Sequence, residues 1–415
     1  MYHHPFLVTI LYTTFYKFGL EVMNSPTLGM FLFSIFQMTF MALIFSYAVK
    51  IIDESNKKWL KNISLIFYAI FPYNQLFAMM TTKDVIFAGL MVVFIIKLYK
   101  MLDEKYKAAD YIFLVIIGVL MLLSRNNSVL ILKASLPFII LVLIKNKQNI
   151  IKVVSVFLII IVLYQTINNS LHNSLGKKND ESGLRISSFS QAVAKLVNEL
   201  TESEKEKITY YFKDYKKLST VYKSNIADNT AGMMDSKNIM NNKNEFFKFM
   251  WQLGKKYPVI FVDSFLNTTR GYWYTNDNSF NKIWNEEYPE TMGALELFCF
   301  HIGTGKYEVI DESKIPKLKE FYQNLFCQNK YQDVPVLYIL FQPATYFYIT
   351  LANLLYSIYK RDKNKLVIAI IFFIYFASCF LAHCAIVRYI YVIIVNVPIM
   401  AYLATKNEQK GEEKL

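Results

Sequence analysis

Apolar stretches near twenty residues long recur along this chain, separated by short charged loops. A stretch of that length crosses the hydrocarbon core of a bilayer as a helix, so the repetition leaves little room for a water-soluble fold. Composition agrees: hydrophobic residues make up 54% and charged residues only 19% of the 415 positions, too greasy for a disordered chain. Four Cys cannot staple a chain of this length, which excludes a disulfide scaffold. The expectation is an all-α membrane protein, a polytopic helical bundle with a mostly helical soluble domain.

Apolar runs broken by charge predict nine spans, near 28–49, 62–80, 85–101, 110–123, 128–144, 150–168, 334–359, 366–383 and 387–404. The fourth is short and the fifth carries Lys133 and Pro137, so tilted, broken or re-entrant segments are expected there. The division is a membrane region over 1–168, a soluble domain over 169–333, a second membrane region over 334–404 and a tail over 405–415.

The net charge of +13 raises the question of nucleic acid, and its location answers it. Residues 169–333 hold 22 Lys/Arg against 21 Asp/Glu, while the rest holds 23 against 11. The excess therefore lies in loops between apolar segments and not on a basic soluble face, so no nucleic-acid partner is expected. One set of short loops contains 15 cations, from Lys50 through Lys365; the opposite set has only Lys17, Lys83, Arg125 and Arg388. The positive-inside rule assigns the first set to the cytoplasm. The domain over 169–333, the loop at 81–84, the turn at 124–127 and the amino terminus then face outward, with the tail inside. An outward amino terminus without a signal peptide in residues 1–27 leads to the expectation that a preceding helix is missing from the start.

Residues 5–18 read as a helix lying on the membrane, with Phe6, Leu7, Ile10, Leu11, Phe15 and Phe18 at helical spacing. An ordinary buried helix fits the pattern equally. In the soluble domain Val193, Leu196, Val197 and Leu200 mark an amphipathic helix, and Thr201 with Glu204 fits a capping box opening the next. Asn244–Tyr257 makes another helix, stopped before Pro258, whereas 259–274 has no strong period. Cys299 and Cys327 could pair in an oxidising exterior or stay free; Cys379 and Cys384 read as packing residues.

Chemistry-bearing residues converge on the outer ends of the spans. An Arg at mid-membrane costs at least ~2.5–3.5 kcal/mol, so such groups are kept at edges or in lined cavities. Lys83, Arg125 and Arg388 are three of only four outer cations, and ammonium and guanidinium groups at such a rim suit a lipid-linked phosphate. Snorkelling anchors are the plain alternative. Asp84 fits a helix N-cap by default, and otherwise a group that activates a hydroxyl or holds a metal. Asp84 and His4 are the candidate catalytic groups. The adjacent His3-His4 pair, with no carboxylate or thiol nearby, makes a poor zinc site. Arg270 and Trp273, among clustered aromatics, are candidates for acceptor or sugar contact, with simple packing as the alternative. No phosphate-binding glycine loop, His-Glu-x-x-His or Gly-x-Ser-x-Gly is present, so a cytosolic nucleotide-driven reaction has no visible site. No cofactor is expected, and no dedicated ligand set for a divalent metal is seen.

Taken in order, several motifs resemble a known family. They are His3-His4-Pro5, Thr82-Lys83-Asp84, Arg125-Asn126-Asn127, Ser188-Phe189-Ser190-Gln191, the run from Leu200 to Ile208, the run from Tyr257 to Asn267, and Arg388-Tyr389-Ile390-Tyr391. Together, over nearly the whole chain, they look like bacterial multi-pass proteins related to the GT-C glycosyltransferases, which include the protein O-mannosyltransferase-like enzymes. The resemblance implies a bacterial plasma-membrane enzyme with an outward active site, a sugar donor on polyprenyl phosphate and an acceptor in the cell envelope. It implies donor phosphate held by cations at Lys83, Arg125 and Arg388. The usual catalytic acid of such enzymes lies upstream of the His-His-Pro segment, where this chain has no acidic residue. Either the start lies further upstream, or another acid such as Asp84 serves, or the protein is inactive. A transporter or flippase of a lipid-linked glycan, and a non-catalytic envelope assembly protein, are the competing readings. The absence of an internal repeat and of intramembrane acids in the nine segments disfavours an ion-coupled transporter.

Overall fold

The computed structural model describes residues 5–103, 106–125, 128–174, 187–275, 314–322, 324–325, 330 and 334–406. Among these the chain is helical; the only extended pairings are isolated bridges such as Phe212 with Met234. Two units are distinguished. The first comprises Met1–Lys178, Ile349–Phe376 and Tyr391–Leu415, the second Asn179–Tyr348 and Ala377–Ile390.

The first unit begins with α1 (Phe6–Val22), α2 (Pro26–Asp53), α3 (Lys58–Ile70), α4 (Pro72–Met79), α5 (Lys83–Asp103), α6 (Ala108–Ser124), α7 (Ser128–Leu143) and α8 (Lys147–Ser174). Among the described residues four helices are long and apolar enough to cross a membrane: Pro26–Asp53, Lys83–Asp103, Lys147–Leu171 and Val387–Thr405. By length and composition this is a membrane protein. Ala108–Ser124 and Ser128–Leu143 are shorter apolar helices, each continuous, and Pro137 is carried inside the second. The expected break in the fourth or fifth segment is therefore not found. It falls instead in the second, at Phe71-Pro72, where proline removes a backbone donor. Side chains of the next turn bond back to the end of α3: Gln75 Nε2 donates to Ala69 O at 2.8 Å, and Asn74 Nδ2 donates at 2.9 Å to Phe67 O, which also keeps its backbone bond from Phe71 N.

α1 and α2 form an antiparallel hairpin. Asn24 takes the left-handed turn at φ 49°, and Ser25 Oγ caps α2 by accepting from Leu28 N. Tyr12 and Phe15 then meet the Phe33 ring, and Gly19 meets Gly29. The helices approach so closely that a Cβ on Gly29 would stand 2.3 Å from the Phe15 carbonyl oxygen, the small-residue contact by which apolar helices pack without a hydrophobic drive.

The cation-rich loops gather at one end of this unit. Lys61 pairs with Asp53 at 2.7 Å, Lys100 with Glu54 at 2.9 Å, Lys97 with Asp110 at 3.6 Å and Lys406 with Asp103 at 2.8 Å. Lys57 Nζ also donates to Thr405 O. These contacts join the ends of α2 and α5, the starts of α3 and α6, and the end of the last helix. The grouping is the one the alternating loop charges predict.

The second unit contains α9 (Ser187–Leu196), α10 (Glu202–Tyr211), α11 (Asp228–Gly232), α12 (Ser236–Asn241), α13 (Lys243–Lys256), α14 (Pro258–Thr269), α15 (Pro316–Tyr322) and α16 (Leu337–Phe341). Its core holds Val193, Leu196, Val197 and Leu200 against Ile208, Phe246, Met250 and Leu253. The Thr201–Glu204 capping box is formed, with Thr201 N donating to Glu204 Oε2 at 2.9 Å. The stretch read as lacking a period is the helix α14, closed by a turn at Arg270–Tyr272. Cys379 and Cys384 are buried, as packing residues would be; Cys299 and Cys327 lie outside the described residues.

Three helices run through the unit boundaries: α17 (Pro343–Lys360), α18 (Lys363–Cys379) and α19 (Val387–Thr405). The segment expected over 334–359 is broken between Phe341 and Pro343, so helices stand at all nine expected places, two of them interrupted by proline.

Gly29→Ala is expected to lower stability by about 1–3 kcal/mol through overpacking, read as a drop in the melting temperature of detergent-solubilised protein. Gly232→Ala, where a Cβ meets nothing within 4 Å, should leave it unchanged.

Candidate functional site

The end of the first unit opposite the lysine contacts carries a buried ion pair. α4 stops at Met79, and the backbone up to α5 would leave carbonyls unsatisfied in an apolar setting, which is costly. Gln37 of α2 covers them, its Nε2 lying 2.9 Å from Ala78 O and 2.7 Å from Met80 O; Ser34 Oγ donates to Met79 O at 3.3 Å. This fixes the start of α5 at Lys83. Asp84 is then inside the first helical turn, where the helix dipole favours a negative charge, and Thr82 takes the preceding position.

The Asp84 side chain is fully buried. Its Oδ1 accepts from Arg125 Nη1 at 2.8 Å and its Oδ2 from Thr82 Oγ1 at 3.3 Å. Arg125 follows the last residue of α6 in extended conformation, and Ser128, on the next helix, donates its backbone N–H to Arg125 O at 3.1 Å. Arg125 Nη1 also donates to the Tyr375 hydroxyl at 2.9 Å, and the guanidinium carbon is 5.4 Å from the ring centroids of both Phe87 and Tyr375. Helices α5, α6 and α18 thus meet around one charge pair. Tyr12 of α1 feels the charge of Asp84, and its hydroxyl is buried with no hydrogen-bond partner among the described residues.

Lys83, Asp84 and Arg125 share this end of the first unit. Arg388 belongs to the second unit, where its guanidinium lies 5.2 Å from the Tyr389 ring centroid. Arg270 and Trp273 are also there: the Arg270 guanidinium is 4.7 Å from the Tyr274 ring, and Trp273 Nε1 donates to Thr269 Oγ1 at 3.2 Å. Tyr272 between them donates to Cys384 O at 3.3 Å and accepts from Ile386 N at 3.4 Å, tying the Arg270 turn to the segment that leads to Arg388. Burial first, then the neighbouring Cys379 and Cys384, push the Tyr272 phenol well above its ordinary pKa. His4, Asn126 and Asn127 lie outside the described residues.

Sequence reasoning missed Tyr375, Phe87 and Tyr12 at the ion pair and Gln37 at the bend before it. Phe87 stands one turn after Asp84 and was open to detection by spacing. Tyr375 has no local signal, because only the fold carries it to Arg125. A second contact was missed in the other unit, where Ser187 Oγ hydrogen-bonds His383 Nδ1 and Ala227 N donates to His383 O.

A guanidinium that touches a buried carboxylate and a tyrosine can hand part of its hydrogen bonding to an incoming anion, which would release the carboxylate for proton transfer. Removing one member of a buried pair strands the other's charge, typically at 3–5 kcal/mol. Arg125→Ala should therefore cost about that much in detergent thermal denaturation, against about 1 kcal/mol for Tyr375→Phe, which deletes one hydrogen bond.

Comparison with curated proteins and with solved structures finds no match. A protein-family model matches residues 2–414, and the chain belongs to that family, the family of unknown function DUF6020.

Proposed function

We propose that this protein is a membrane glycosyltransferase of the GT-C kind, a bundle of about nine spans moving a sugar from a polyprenyl-phosphate donor to an acceptor of the cell envelope. In this reading it lies in a bacterial plasma membrane, the lysine-rich end of the first unit faces the cytosol, and the Asp84–Arg125 end and residues 169–333 face outward. The observation that supports the reading is the buried Asp84–Arg125 pair, with Lys83 next to Asp84 in sequence, at the end away from the lysine contacts.

The chemistry follows from that arrangement. The acceptor hydroxyl attacks the anomeric carbon, its proton passes to a carboxylate, and the bond from that carbon to the lipid phosphate breaks. Cations offset the charge that collects on the departing phosphate. Arg125 fills that role with Lys83, and the phosphate, by drawing the guanidinium, frees Asp84 as the base.

Undecaprenyl phosphate titrated into nanodisc-embedded protein and followed by tryptophan fluorescence tests the phosphate site. Lys83→Gln should weaken binding by about tenfold, the loss expected for a charge-assisted hydrogen bond. Asp84→Asn should keep the lipid bound yet abolish release of lipid phosphate from a glycosylated donor. Equal binding by wild type and Lys83→Gln would remove the assignment.

A further inference from the structure

The second unit carries a groove of about 500 Å³ between α10 and α13, within the range of ordinary ligand sites. Two helical stripes form its walls. Ser203, Glu206, Lys207 and Tyr210 follow i, i+3, i+4, i+7 on α10, and Glu245, Lys248, Phe249 and Gln252 repeat that spacing on α13. Its floor is aromatic: Tyr211 and Phe249 are each 6% exposed, with ring centroids 6.4 Å apart, and Tyr210 stands 44% exposed beside them.

Two of the lining groups are hydrogen-bonded, the Tyr210 hydroxyl to Asn242 Nδ2 at 2.7 Å and Ser203 Oγ to Thr201 Oγ1 at 3.4 Å. Among the described residues Glu206, Glu245, Lys248 and Gln252 have no hydrogen-bond or ion-pair partner, and Lys207 meets only the Phe249 ring, at 5.4 Å. Other charges of the same two helices are neutralised: Lys205 pairs with Glu202 at 2.7 Å, and Lys256 of α13 pairs with Glu204 of α10 at 2.8 Å. The groove thus keeps two carboxylates, two ammonium groups and an amide available over an aromatic floor, and its formal charge sums to zero.

We propose that this groove binds a short neutral oligosaccharide. A sugar chain offers hydroxyls that both donate to Glu206 and Glu245 and accept from Lys248 and Gln252, and apolar ring faces that rest on aromatic side chains. Zero net charge disfavours phosphorylated or strongly cationic ligands, whose own charge would lack a counterpart. The site is formed wholly within the second unit and does not depend on the transfer reading given above.

The test uses the full-length protein in nanodiscs, probed with an array of neutral oligosaccharides, anionic oligosaccharides and short charged peptides, followed by calorimetry on the best binder. A neutral oligosaccharide should bind. Glu245→Gln and Gln252→Ala, both at exposed positions, should each weaken it by about tenfold, while Glu202→Gln outside the groove leaves it unchanged. Failure of every neutral glycan to bind, preference for peptides or anionic glycans, or binding indifferent to both groove variants would overturn the proposal. None of these results bears on the lipid-phosphate titration, so the two ideas fail separately.

Discussion

Burying a carboxylate in an apolar helical bundle is tolerable only when a cation and further hydrogen bonds meet it, and Asp84 meets both conditions. Arg125 supplies the countercharge at 2.8 Å and Thr82 a second contact, while Tyr375 holds the guanidinium from the far side of the sequence. The start of α5, the end of α6 and the body of α18 are therefore held at one point. The pair is weak evidence for net stability, because desolvation offsets most of its attraction. Its consequence is positional: it keeps a carboxylate and a guanidinium in contact in a water-poor setting, where electrostatic effects are strong.

The two ends of the first unit are chemically unlike. At one end the ion pairs of Lys61, Lys100 and Lys406 are partly exposed and screened by water and salt. At the other the charges are few and enclosed. The interrupted helices connect these facts. Proline breaks the helix between Phe71 and Pro72; Gln75 and Gln37 then bond carbonyls at the break and the following bend, and Asn74 adds a second bond to Phe67 O. The bend delivers Lys83 and Asp84 to the end where Arg125 stands, so the polar residues of α2 and α4 act as supports of the site.

Much of this was legible from residue pattern. Apolar length places helices at the expected positions, four of them among the described residues long and apolar enough to cross a membrane, and the capping box at Thr201 and Glu204 is formed where its spacing puts it. Breaks were less legible, because a proline within an apolar run is compatible with either outcome: Pro137 is absorbed into a continuous helix, whereas Pro72 ends one. Asp84 shows a different limit. Its position after Thr82-Lys83 fits a cap, yet the helix begins one residue earlier and the carboxylate turns to Arg125. Local spacing cannot distinguish these outcomes, since the partner lies 41 residues away and its support, Tyr375, a further 250.

Opposite placement of the two ends across a membrane underlies the whole account, and it is directly measurable. In a variant with the four native cysteines replaced, single cysteines at Thr81 and at Lys58, both exposed, report on the Asp84 end and the lysine end respectively. An impermeant maleimide applied to intact cells should label Thr81→Cys and leave Lys58→Cys untouched until the cells are opened. Labelling of both from the same side, or of Lys58→Cys alone in intact cells, would contradict the account.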